Sequence, residues 1–213
     1  MFSWSRTRVK SFPPGVHDDF GYSLYVAQLG EMSPKAKPLH GLGSGVMEIV
    51  ANEQGGTWRA VYTVSIGDSI YVVHAFRKKA KTGIATAMSE IELVRQRLKQ
   101  LRSEVKNAEK RTLGMENGSG NVFADLGLAD AGEHLIKAGL VVRIDRTIRH
   151  RRLTQATAAA LMGIDQPKVS AILAGQFRGY SVERLMRFLV ALGHDVEIVV
   201  KPVRRRPAEL RVA

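Results

Sequence analysis

Between Leu153 and Gly175 two short helical patterns are pinned around one glycine, and few folds accommodate that. Thr154 and Asp165 are N-cap residue types, each placed to open a helix. Pro167 falls in the first turn of the second helix, where its missing N–H costs nothing. Ala156, Ala159, Ala160 and Leu161 offer small apolar contacts, and Val169, Ile172 and Leu173 continue that face at helical spacing. Gly163 supplies the tight turn between them. The pattern is a helix-turn-helix, whose second helix can enter the DNA major groove by its N-terminal end. Gln166, Lys168 and Ser170 are then placed to reach base edges or nearby phosphates. Glutamine bonds adenine bidentately, and lysine reaches guanine or phosphate. Gln155 and Arg178 flank the unit, where they would hold backbone phosphates.

Charge agrees with a polyanionic partner. The 32 basic and 20 acidic residues of this 213-residue chain give a net charge of +12. The excess is shared equally, +6 in residues 1–110 and +6 in residues 111–213, so it is not one basic tail on a neutral body. Both halves would be drawn to phosphate backbones with an affinity that weakens in salt; a basic but inert surface is the plainer alternative. The absence of cysteine excludes disulfides, thiol catalysis and cysteine-ligated metals. No apolar run approaches the roughly 18 residues needed to span a membrane, and the N-terminus lacks a signal-peptide apolar core. A cytoplasmic protein without membrane partner, metal or cofactor is expected.

The first half has a different pattern. Pro13-Pro14 opens a helix with Val16, Phe20, Leu24 and Ala27 on one face and Gly30 at its C-cap. A loop from Met32 to Gly45 follows. The period then changes from 3.6 to 2: Val46–Val50, Thr57–Ile66 and Ser69–Phe76 read as strands, the last two joined by a Gly67-Asp68 turn. Ser89 and Glu92 form a capping box ahead of a long helix with Ile91, Val94, Leu98, Leu101 and Val105 as its apolar stripe. Helix, antiparallel meander, helix is an α+β order. If Ile66 pairs with Ser69, then Val61 pairs with His74 and Arg59 with Phe76. Arg59, Val61, His74, Phe76 and, by parity, Lys78 then share one side of the sheet. Cations so placed can stabilise charge on a scissile phosphate. Equally, Arg59 can be a solvated strand residue and the lysines guards of a sheet edge. A lone histidine in an apolar strand is more often a satisfied core residue than a catalyst.

The runs Trp58–Tyr62 and Ile70–Lys79 resemble the signature of RelE-superfamily toxins, specifically the HigB-type, phage-derived branch. Phe12-Pro13, Leu29-Gly30, Lys37–Leu39, Gly45-Val46 and Glu48 match that branch in order, so the resemblance spans residues 4–102. It implies a small metal-independent endoribonuclease that cuts mRNA on the ribosome by attack of a ribose 2′-OH on its own 3′-phosphate. Arg59 would hold the phosphate, Lys78 and Lys79 would add electrostatic stabilisation, and His74 would be an acid/base candidate. Where that branch usually runs Thr-x-Lys-Thr-Pro, this chain has Ala80-Lys81-Thr82-Gly83-Ile84.

Lys106–Gly120 is polar and glycine-bearing, as in a linker. The segment Gly118–Leu128 resembles the N-terminal signature of HigA-type antitoxins of the Xre/Cro helix-turn-helix class, and the resemblance continues to residue 202. Asp130 is expected to cap a helix from Ala131 to about Val142, followed by an arginine-dense second helix over Arg143–His150. After the helix-turn-helix, Ser181 opens another helix, and Val196–Val200 reads as a short strand before a basic tail. A lone strand seeks a partner, here its symmetry mate in a homodimer suited to a palindromic operator. Two domains are therefore expected: 1–111, an α+β toxin-like domain, and 112–213, an all-α helix-turn-helix domain with a short C-terminal strand. The function implied is a fused toxin and antitoxin. Its partners would be operator DNA, mRNA and the ribosome, and the two domains would meet in cis or in trans. The alternative is a DNA-binding regulator whose toxin-like half is an inactive interaction module.

Overall fold

The computed structural model describes residues 9, 11–53, 55–64, 66, 69–78, 88–108, 118–200, 202 and 212. The chain divides into two compact units, Met1–Leu128 and Ala129–Ala213.

In the first unit, helix α1 (Pro14–Gln28) starts on its proline and ends where Gly30 takes φ 77°. Val16, Phe20, Leu24 and Ala27 are buried as the periodicity predicts, but so are Asp18, Asp19, Gly21, Tyr22 and Val26. A helix buried nearly all round lies between two layers. One layer is a sheet of β1 (Ala36–Pro38), β2 (Val46–Glu53), β3 (Gly56–Thr63) and β4 (Tyr71–Arg77), in that order and antiparallel throughout. The other is the single-turn helix α3 (Val122–Asp125), which packs on α1. Strand β1 falls within the stretch expected to be loop. It is three residues long and ends on a proline, which only a sheet edge tolerates.

Arg59 pairs with Phe76 and Val61 with His74, as the hairpin register predicts. The register then shifts by one residue, because Tyr62 pairs with Val72 and leaves Val73 as an extra residue in a β-bulge. The ladder ends at Thr63 and Tyr71, so the expected Ile66–Ser69 pair does not form; Gly67 and Asp68 lie outside the described residues. The slip has an apolar reason. It lets Ile66 and Val73 join Leu42, Val46, Val61, Val94, Leu98 and Leu101 in one buried cluster beneath helix α2 (Met88–Ala108). Ile91 and Val105 complete that stripe from its margins. Ser89 lies within α2 instead of before it, and Glu92 pairs with Arg95 at 2.5 Å, so the expected capping box is not used.

The second unit is all-helical among its described residues. Helix α4 (Ala131–His150) is continuous where the sequence predicts two helices. Neither glycine nor proline interrupts Val142-Arg143, and Val141, Val142, Ile144 and Ile148 stay buried in one helical phase. Asp130 occupies its N-cap position without a side-chain cap bond. Helices α5 (Gln155–Met162), α6 (Gln166–Leu173) and α7 (Val182–Ala191) follow. The Thr154 and Ser181 hydroxyls accept the N–H groups of Thr157 and Arg184 at 3.1 and 3.2 Å. Gly163, at φ 65°, makes the turn between α5 and α6. The inner face of α5 is Ala158, Ala159 and Met162; Ala156, Ala160 and Leu161, expected to pack, are exposed. The short strand expected over Val196–Val200 is absent. Residues 194–200 carry no strand because the second unit's described residues offer none to pair with, and Ile198 and Val200 stand 74% and 90% exposed.

Candidate functional site

On the helix-turn-helix the five sequence-predicted contact residues, Gln155, Gln166, Lys168, Ser170 and Arg178, are all exposed. Val169, Ile172 and Leu173 are buried on the opposite face of α6 and hold it against the unit. The first turn of α6 is therefore presented outward while its underside is fixed. The Gln166 side-chain amide donates to the Gln155 carbonyl oxygen at 2.6 Å. That bond joins the first residues of α5 and α6 and leaves the Gln166 carbonyl oxygen directed elsewhere. The sequence named both residues but gave no sign of the bond, which depends on the angle between two helices. The Asp165 carboxylate makes no cap bond and instead accepts from Lys168 Nζ at 2.7 Å. Each shifts the other: the Lys168 hydrogen bond and charge hold Asp165 below the usual carboxylate range, and Asp165 raises Lys168. Arg151 donates to the Leu192 carbonyl at 2.8 Å, capping the C-terminus of α7.

In the first unit the cross-strand pairs put Lys37, Glu48, Arg59, Val61, His74 and Phe76 on one side of the sheet. Arg59 is not presented to solvent. Its side chain is 4% exposed and donates to Glu48, itself 1% exposed, at 2.6 Å, with Lys37 at 3.6 Å from the other carboxylate oxygen. The two residues are diagonal neighbours on β2 and β3, so once the register is set their side chains meet. His74 is fully buried and both ring nitrogens are engaged. Nε2 lies 2.7 Å from a Glu90 carboxylate oxygen and Nδ1 lies 2.6 Å from Arg97 Nη1. The ring also stacks on Phe76 at 5.1 Å. Because the neighbouring Val73 is the bulge residue, consecutive side chains of β4 both reach α2. Lys78 is half-buried and its N–H bonds the Thr57 carbonyl at 2.8 Å, continuing the ladder past β4. Lys79 lies outside the described residues. Arg59 and His74 thus share a side of the sheet but are held in separate polar contacts, Arg59 with Glu48 and His74 with Glu90 and Arg97, partners that the sequence did not single out for that role. Among the described residues no group of histidine, aspartate and glutamate is placed to hold a metal ion, and no helix is long and apolar enough to cross a membrane.

Residues 8–99 match the family model described as phage-derived protein Gp49-like, and residues 122–201 match one described as a helix-turn-helix domain. A solved structure whose name offers it as an XRE family transcriptional regulator is 46% identical, covering 39% of this chain and 94% of its own, with a TM-score of 0.37. No curated protein matches the chain.

Proposed function

We propose that this chain, a Gp49-like domain continued into a helix-turn-helix domain, is a DNA-binding regulator of the toxin–antitoxin type that represses its own operon. One observation carries the reading: a cluster of exposed polar side chains, Gln155, Gln166, Lys168 and Ser170, stands at the start of a helix whose opposite face is locked into the core. Docked in a major groove, Gln166 would read a base edge while the bond it donates to Gln155 fixes its amide plane. Lys168, Ser170 and Arg178 would reach the backbone or neighbouring bases. Replacing Gln166 and Lys168 together with alanine should weaken binding to the promoter upstream of the gene by roughly 1–3 kcal/mol for the lost bidentate contact. Gel shifts unchanged by the double substitution would refute the assignment.

The match over residues 8–99 supports a second activity, metal-independent cleavage of ribosome-bound mRNA by the first domain. In that reading Arg59, Lys78, Lys79 and His74 would act on the phosphate and the 2′-OH. The burial of Arg59 against Glu48 and of His74 between Glu90 and Arg97 favours the other outcome, a first domain that binds but does not cut. Expression of residues 1–128 decides between them. Growth arrest with mRNA cleavage, abolished by Lys78→Ala with Lys79→Ala, establishes the nuclease; normal growth with folded protein establishes the regulator alone.

A further inference from the structure

The helix-turn-helix family model begins at Val122, yet residues up to Leu128 belong to the first compact unit. The segment that accounts for this is short and internally complete. The Asn121 side chain accepts the N–H groups of Phe123 and Ala124 at 3.0 and 3.4 Å and opens α3. Gly127, at φ 86°, closes it: its N–H bonds the Ala124 carbonyl at 2.9 Å and the Leu128 N–H bonds Phe123 at 3.0 Å, a Schellman motif. Asp125 reaches back to the N–H of Ser119 at 3.1 Å. A ten-residue stretch with both ends capped and a side chain tying its start to its middle holds its shape with little ordering cost on binding.

Its apolar face packs on α1. Phe123 and Leu126 are 0% and 1% exposed, and the surface they meet is the outer side of α1. The notch there is made by Gly21. A Cβ at that position would lie 2.5 Å from the Phe123 ring and 3.5 Å from Leu126 Cδ1. Gly21 is mid-helix, where glycine costs about 1 kcal/mol against alanine, and its φ is not in the left-handed region. The missing side chain is therefore the feature in use. We propose that residues 118–128 are a docking segment and not a linker: a capped turn whose Phe123 and Leu126 seat over Gly21, and which holds the DNA-binding part of the chain to the first domain without need of the covalent connection. The groove over Gly21 is correspondingly a recognition site for a segment of this pattern, filled here by the chain's own. This inference does not depend on DNA binding or on RNA cleavage.

The test cuts the whole protein. A protease site placed between Lys110 and Arg111 is cleaved to completion, and the product is run on size exclusion at micromolar concentration. The two pieces should co-elute. In the Phe123→Ala chain, cut identically, association should weaken roughly 100-fold or more, as expected for a deleted buried ring, and the pieces should separate. A synthetic peptide of residues 118–128 should displace the helix-turn-helix piece from the cut wild type, and the same peptide with Phe123→Ala should not. In the uncut Phe123→Ala chain, binding to the upstream promoter should be unchanged, which keeps this result separate from the DNA reading. Cut wild-type pieces that separate unaided, cut Phe123→Ala pieces that stay together, or a peptide that fails to displace would each overturn the proposal. Gly21→Leu, which fills the notch from the other side, should separate the pieces as Phe123→Ala does; if they still co-elute, Gly21 is not the seat.

Discussion

Arg59 and Glu48 form an ion pair from which water is almost wholly excluded. Removing one partner from such a pair leaves the other charge buried and costs about 3–5 kcal/mol, whereas replacing both with apolar residues of similar volume is often neutral. Arg59→Ala should therefore lower unfolding free energy by that amount in urea titrations, and Arg59→Met with Glu48→Leu should recover most of it. An Arg59→Ala protein of unaltered stability would restore the view of Arg59 as a side chain waiting for phosphate. A second buried carboxylate makes a prediction in pH. Asp19 in α1 is raised above its usual 3.8, mainly because burial penalises the charge and secondarily through Asp18 and Glu53, with the Lys35 ammonium pulling the other way. A raised folded-state value means that the unfolded chain ionises first. The stability attached to Asp19 is complete below 3.8 and is lost as pH rises through the folded value. Against Asp19→Asn, which does not titrate, the wild type should lose stability as pH climbs past 3.8 and through the raised folded-state value. A flat difference across that window would mean that Lys35 compensates burial fully.

At the scale of the element, the first turn of α6 offers the sharpest handle. Asp165 caps nothing with its side chain and spends its charge on Lys168. Asp165→Asn should leave the helix intact and free the ammonium for phosphate. Promoter binding should tighten at low salt, and the slope of log affinity against log salt should steepen by about one. Weaker binding would place Asp165 itself among the DNA contacts. The Thr154 cap, the positive-φ Gly163 and the first-turn Pro167 were legible in the sequence because they are local signals, whereas Asp165, an N-cap residue type, gives its side chain to Lys168 instead. The buried underside of α6 and the outward side chains followed from the 3.6 period. The pairings of Arg59 with Phe76 and of Val61 with His74 were legible too. What escaped was decided by distant residues. The bulge at Val73 arises because Ile66 and Val73 both find a place under α2, and neither position announces that in its own neighbourhood. The second burial layer on α1 depends on residues a hundred positions later, and the Arg59–Glu48 pair depends on the β2–β3 register. The break expected near Val142 came from reading arginine density as a boundary, where only glycine, proline or a change of phase would have made one.

For the whole molecule, a net charge of +12 shared by both halves makes nonspecific attraction to nucleic acid general and salt-sensitive. Specific recognition then gains from two half-sites, and the exposed Val196, Ile198, Val199 and Val200 offer an apolar run, without a strand partner among the described residues, on which a second copy can pair. Deleting residues 195–213 should convert a dimer into monomers that bind the promoter poorly, measured by light scattering and gel shift. A monomeric intact chain, or a dimer indifferent to the deletion, would refute that assembly. The doubly covered helix α1 has a further consequence, one of time. Its inner cover, the sheet, is complete once β4 has been made, at Arg77, but its outer cover ends at Leu128. At about 5–20 residues per second the ribosome needs roughly 3–10 s to cross that interval. During that delay a nascent chain carries a finished sheet and a bare notch at Gly21, and whatever reaches the notch first, its own next segment or another molecule's, determines which copy it is joined to.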